Sequence, residues 1–125
     1  MALQFEAVID RLITLGYPVA QTEFTDTNQQ PAPPPPFIVW LKAENIRGAD
    51  AYKGAPSVLV CETNASIELY TDIAAEAEAE RVQIERRIES EVLSGVDFEK
   101  FQAPIHKENL YQTAYEFKIT QKRRM

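Results

Sequence analysis

Ser57-Val58-Leu59-Val60-Cys61-Glu62-Thr63-Asn64-Ala65-Ser66-Ile67-Glu68-Leu69-Tyr70-Thr71 is the stretch that decides the fold. Leu59, Cys61, Thr63, Ala65, Ile67 and Leu69 fall on one side, and Glu62, Asn64, Ser66, Glu68 and Tyr70 on the other. A period of two belongs to the β-strand, whose successive side chains point to opposite faces. The stretch therefore reads as one long strand, or a bent pair, in a sheet with a packed face and a polar face. Leu110 to Thr120 repeats the pattern, with Tyr111, Thr113, Tyr115, Phe117 and Ile119 opposed to Gln112, Glu116 and Lys118.

Upstream, Pro31-Ala32-Pro33-Pro34-Pro35-Pro36 runs directly into Phe37-Ile38-Val39-Trp40-Leu41. Each proline fixes φ and removes a backbone donor, so the run is neither helix nor inner strand. The residues after it are β-branched and aromatic, and the spacing predicts a strand from Phe37 to Ala43 with both faces covered. The proline run has three readings: a ligand for an SH3-type groove, a spacer, or an arm lying on a neighbouring subunit. No arginine flanks it, which favours the spacer or the arm. Residues 25–36 form one predicted loop. Residues 44–56, with Gly48, Gly54 and Pro56, form a second loop or a loose hairpin tip.

Two segments carry helical periodicity. Phe5, Val8, Ile9 and Leu12 recur at i, i+3, i+4 and i+7, and Gly16 and Pro18 stop the helix. A second helix is predicted from about Ile73 to Leu93, capped by Thr71 or Asp72 and ended by Gly95. Its stripe is Ala77, Ile84, Ile88 and Val92, with Arg81 at the rim. Six glutamates and three arginines between 76 and 91 read as a solvated face. Short strands are predicted from Val19 to Phe24 and from Val96 to Phe101, the latter closed by Pro104. The order of elements implies an α+β fold: a mostly antiparallel sheet with two helices packed on one face. The predicted core is Phe5, Val8, Ile9, Leu12, Ile38, Trp40, Leu59, Cys61, Ile67, Leu69, Ile84, Ile88, Tyr115 and Phe117.

The 125 residues fit a single domain, with 45% hydrophobic content. No apolar run nears the roughly 20 residues that span a bilayer. The N-terminus lacks a cationic segment followed by an apolar one, so no signal peptide is expected and the protein should stay in the cytoplasm. Cys61 is the single cysteine, which excludes an intrachain disulfide and a thiolate zinc site. Within a strand it reads as an inert core thiol. Net charge is −6, while Lys122, Arg123 and Arg124 make residues 121–125 a basic tail on an acidic body. An acidic body argues against a groove that grips nucleic acid.

Chemistry is sparse. His106 is the lone histidine, following a proline in a loop. No serine or cysteine lies in a nucleophile motif, and four glycines give no phosphate cradle. Glu68, in a strand, reads as a cross-strand partner of Lys118 or as an exposed carboxylate. No catalytic residue, metal site or cofactor is expected.

Several segments in order carry a resemblance. They are the N-terminal helix with Gly16-Tyr17-Pro18-Val19, then Pro35-Pro36-Phe37-Ile38-Val39-Trp40, then Ala49-Asp50. After them come Ile67-Glu68-Leu69-Tyr70-Thr71-Asp72 before the Glu-rich helix, and Leu110-Tyr111-Gln112-Thr113-Ala114-Tyr115-Glu116-Phe117. Over nearly its whole length the chain resembles the tail terminators, or minor head–tail joining proteins, of long non-contractile-tailed phages and prophages. The length of the proline run and the basic Lys122-Arg123-Arg124 lie outside that pattern. The resemblance implies a virion structural protein without catalysis, assembled in the host bacterial cytoplasm. It implies a ring, usually of six copies, at the head-proximal end of the tail tube, stopping tube growth and meeting the head connector while DNA passes without specific binding. Loop residues Pro33, Pro34, Pro35, Pro36, Asn45, Arg47, Tyr52 and Lys53 are then the candidate subunit contacts. A head-closure or adaptor protein of the same neck is the near alternative, and a free-standing protein-binding module is a further one.

Overall fold

The computed structural model describes residues 4–21, 33–49 and 58–124, and for residues 44–49, 58–61 and 121–124 it describes the backbone. The order of elements is α1 (Phe5–Thr14), β1 (Val19–Gln21), β2 (Phe37–Ala49), β3 (Val58–Asp72), α2 (Glu78–Arg87), β4 (Phe98–Ile105) and β5 (Leu110–Arg124). The five strands form one sheet in the order β1-β2-β3-β5-β4. All neighbours are antiparallel except β1 and β2, which are parallel. The fold is α+β.

Both helices lie on one face of the sheet. Phe5, Val8 and Leu12 of α1 and Ile84 of α2 share one core with Ile38, Ile67, Leu69, Tyr115 and Phe117. The register explains why these strand residues meet. Ile38 sits opposite Leu69, which sits opposite Thr113; two residues on, Trp40, Ile67 and Tyr115 align. Alternation along each strand then sends the rows to the same side. Thr63, Thr71 and Thr113 are buried on the same side of the sheet. Trp40 and Ile9 are only partly buried, while Leu15, Leu93, Val92 and Ile119 join the core. The predicted core places Leu59 and Cys61 lie where only backbone is described.

The α1 stop is as expected: the N–H of Gly16 reaches the carbonyl of Ile13, and Gly16 adopts φ 91°. A side chain there would be strained. The second helix is less regular than expected. Asp72 Oδ1 accepts from the N–H of Ala74 at 2.8 Å, a single 3₁₀ turn spans Ala75–Ala77, and α2 proper runs only ten residues. A π-helical turn follows at Ile88–Val92, where the N–H of Leu93 reaches the carbonyl of Ile88. The wider turn lets Ile88, Val92 and Leu93 all face the core. Each helix also closes the other's C-terminus. Arg11 donates to the carbonyls of Val92 and Ser94, and Arg87 to that of Leu15. Cations at these ends meet the negative pole of the opposite helix.

Three strand boundaries differ from the sequence reading. Glu44–Ala49 is not loop but the second half of β2, paired residue by residue with β3 from Glu44↔Thr63 to Ala49↔Val58. Residues 50–56 of that predicted loop lie outside the described residues. Residues 121–124 are not a free tail but the end of β5, paired with Cys61 to Val58. β4 extends through Pro104, which an edge strand tolerates because its outward N–H is not needed. β1 covers Val19–Gln21, and residues 22–24 lie outside the described set. Within the proline run, residues 34–36 bend, with a cis bond between Pro35 and Pro36, instead of extending as a polyproline helix.

Candidate interface surfaces

Three features could carry function: a buried ionic cluster under α2, the helix-free face of the sheet, and the distal part of the three longest strands. The ionic cluster holds most of the polar chemistry. Glu85 is 4% exposed, although it belongs to the run expected to be solvated. Its carboxylate accepts from Thr113 Oγ1 at 2.6 Å, Gln102 Nε2 at 2.8 Å and Lys100 Nζ at 3.2 Å. Arg81 approaches it at 3.6 Å while lying 4.1 Å over the Tyr111 ring. Arg81 is therefore covered rather than merely at the rim, with its side chain 14% exposed.

One turn on, Glu89 accepts from Lys100 at 2.7 Å and from the Tyr115 hydroxyl at 2.8 Å. Burial alone would raise the Glu89 carboxyl, but the hydrogen bonds from Lys100 and Tyr115 and the charge of Lys100 outweigh it and hold it below its ordinary value. Burial likewise disfavours the Lys100 ammonium, and the two carboxylates overcome that and raise it. Burial, reinforced by Glu89, raises the Tyr115 hydroxyl far above its ordinary value. A general base needs an accessible lone pair and a proton to take. Glu85 is enclosed and its oxygens are occupied, so this cluster clamps α2 to β4 and β5.

The helix-free face carries the alternate rows. Phe37 stacks on Tyr70 with ring centroids 5.2 Å apart. The Tyr70 hydroxyl donates to Glu68 and accepts from Gln112, each at 2.9 Å. Burial, opposed by the Gln112 hydrogen bond and reinforced by Glu68, pushes that hydroxyl up to about 12. Glu68 is thus bound to Tyr70, and Lys118 pairs instead with Glu62 at 3.6 Å. Leu41 and Phe101 are exposed on this face, at 39% and 48%. Beyond them, Leu41, Ala43, Ser66, Phe98, Glu116 and Phe117 help line an open groove of about 680 Å³. The coverage expected for both faces of β2 holds for Phe37, Ile38 and Val39 and fails at Leu41.

The third feature is a ribbon. β4 pairs β5 only as far as Phe117, and the described part of β1 ends at Gln21, opposite Trp40. From there β2, β3 and β5 continue together to Ala49, Val58 and Arg124. Of the residues expected at subunit contacts, Pro33 to Pro36 lead into β2 at the opposite end of that strand, with Pro34 exposed. Asn45 and Arg47 are strand residues of the ribbon, opposite Glu62 and Val60. Tyr52 and Lys53 lie outside the described residues. The two predicted loops are therefore anchored at opposite ends of β2.

Among the described residues no group of three or more His, Cys, Asp or Glu side chains could hold a metal, and no helix is long and apolar enough to cross a membrane. Compared with known protein families, the chain matches none. No curated protein matches it either.

Proposed function

We propose that this chain is a tail terminator: a subunit of a homo-oligomeric ring, most simply a hexamer, that caps the head-proximal end of a phage tail tube and presents a different surface to the head connector. The ordered resemblance described above motivates the reading. The observation that carries it is the ribbon. β2, β3 and β5 run on together past the end of β4, and a helix-free face with exposed Leu41 and Phe101 lies alongside. A closed ring is built from heterologous contacts, in which one patch meets a different patch on the next copy. A subunit with unlike sides, a clamped α+β body and a projecting ribbon has the parts for such contacts.

Within the buried cluster both Glu85 oxygens accept hydrogen bonds, while Arg81 Nε has no hydrogen-bond partner and is held by its 3.6 Å ion pair to Glu85, in keeping with a role in rigidity. In this reading the partners are further copies of the chain, the tube protein and the head connector, and the protein works in the virion neck. The test is the mass of the purified chain alone and with its tube protein. The expected species is about 85 kDa, six copies of 14.2 kDa, formed at least when tube is present. A stable twofold dimer under both conditions would contradict the ring.

A further inference from the structure

We infer that the helix-free face of the ribbon is a contact for the phosphate backbone of duplex DNA, with Arg47, Lys122 and Arg124 as its cations. The inference rests on where the fold puts charge. Residues 42–49, 58–65 and 117–124 form one paired block. That block holds six cations (Lys42, Arg47, Lys118, Lys122, Arg123, Arg124) against two anions (Glu44, Glu62), a net of +4. With −6 for the whole chain, everything outside the block carries −10.

Had residues 121–124 been a tail, this charge would be smeared over many conformations. As strand it has fixed register. Arg47, Val60 and Lys122 lie in one row across the ribbon, and Ala49, Val58 and Arg124 lie two residues further on. Both rows share the face of Glu62 and Lys118, opposite the helices. Lys118, 53% exposed at its side chain, is paired to Glu62, which answers the one anion on that face of the block. Same-face positions two residues apart along a strand are about 7 Å apart. Duplex DNA carries one negative charge per roughly 1.7 Å of axis, so each cation can meet its own phosphate. Small Ala49, Val58 and Val60 between them add no base-reading group, so the contact is independent of sequence.

The acidic body does not cancel this end. The nearest carboxylates of the acidic body on this face, Glu116 on β5 and Glu99 opposite it on β4, are six residues from Lys122 along β5, about 20 Å at 3.3 Å per residue. Screening at physiological salt acts over about 8 Å. The ribbon therefore presents a positive field of its own. The contact needs no ring and no tail, so its failure and that of the terminator reading are separate.

The test is fluorescence anisotropy of a labelled random-sequence duplex of about 30 base pairs with the full chain, at sodium chloride from about 50 to about 200 mM. Three phosphate contacts predict a slope of log K against log salt of about −2.7, or roughly fortyfold weaker binding across that range. K122Q/R124Q should reduce the slope to about −1, and K122E/R124E should weaken binding at least about tenfold at the low-salt end. Arg86→Glu, on the exposed side of α2, is the charge control and should change affinity less than about twofold. Circular dichroism confirms the fold of each variant, and Arg47→Gln reports on the same row should the β5 variants unfold. Absence of binding at the lowest salt would overturn the inference. So would a slope unmoved by the glutamine pair, or binding to an acidic protein but not to the duplex.

Discussion

Removing the Glu85 carboxylate should cost about 2–4 kcal/mol. Glu85→Ala deletes an acceptor shared by Thr113, Gln102 and Lys100, with Arg81 alongside. The losses are unequal. Thr113 is wholly buried, so its hydroxyl is left without water or partner, which costs about 1–3 kcal/mol. Gln102 is exposed and can turn to solvent. Lys100 keeps Glu89 at 2.7 Å and is 33% exposed, so its share is small after screening. Arg81 retains the Tyr111 ring and a long 3.9 Å pairing with Glu78. The total falls at or just below the range for breaking a buried ion pair by removing one partner. Urea denaturation of wild type, E85A, T113V and E85A/T113V reads it. The double variant should be less destabilised than the sum of the singles by at least about 1 kcal/mol, because each single orphans the other's group. A cost under about 0.5 kcal/mol for E85A, or additivity in the cycle, would refute the clamp.

Ile84→Ala and Leu69→Ala each remove a fully buried side chain at the meeting of α2 and β3, and should cost about 2–5 kcal/mol by urea denaturation. Arg11→Ala removes the donor that closes the carbonyls of Val92 and Ser94, and should cost about 1 kcal/mol while raising amide exchange in the π-helical turn. The Glu89–Lys100 pair sets a pH window. Glu89 is lowered on folding, so its contribution is present above its ordinary 4.5 and is lost as pH falls through the lower folded value. Lys100 is raised, so its contribution is full below its ordinary 10.5 and is lost as pH rises through the higher folded value. Thermal melts should thus be flat between about pH 5 and 10 for this pair, and Lys100→Met should flatten the acid limb.

Legibility in the sequence followed from burial. β3 and β5 could be read because one face of each packs on helices, which imposes alternation from Thr63 to Thr71 and from Thr113 to Ile119. In Glu44–Ala49 and in residues 121–124 the sequence carries no such alternation, and pairing with β3 defines them as strand. Glu44–Ala49 with Gly48 therefore looked like loop, and Lys122-Arg123-Arg124 looked like a tail. The register that makes them strand is a relation between distant residues, and no local period encodes it. Glu85 was hidden among the six glutamates between 76 and 91. A signal did exist: with Arg81, Ile84, Ile88 and Val92 it falls on the stripe that faces the sheet, and a carboxylate there demands donors such as Thr113. The gap between β1 and the proline run lies outside the described residues, so the arm reading of that loop stays a proposal.

The central claim is that this chain ends a polymer. A tube that grows head to tail recreates the same end with each addition, so it stops only when something unlike it binds there. The most direct measurement is tail length, by electron microscopy, in a phage or prophage lacking this gene. The account predicts DNA-filled heads without tails beside tails longer than normal, and normal length restored by purified protein only when it is added before overgrowth. Tails of normal length that merely fail to join heads would contradict it, and would point to head closure instead.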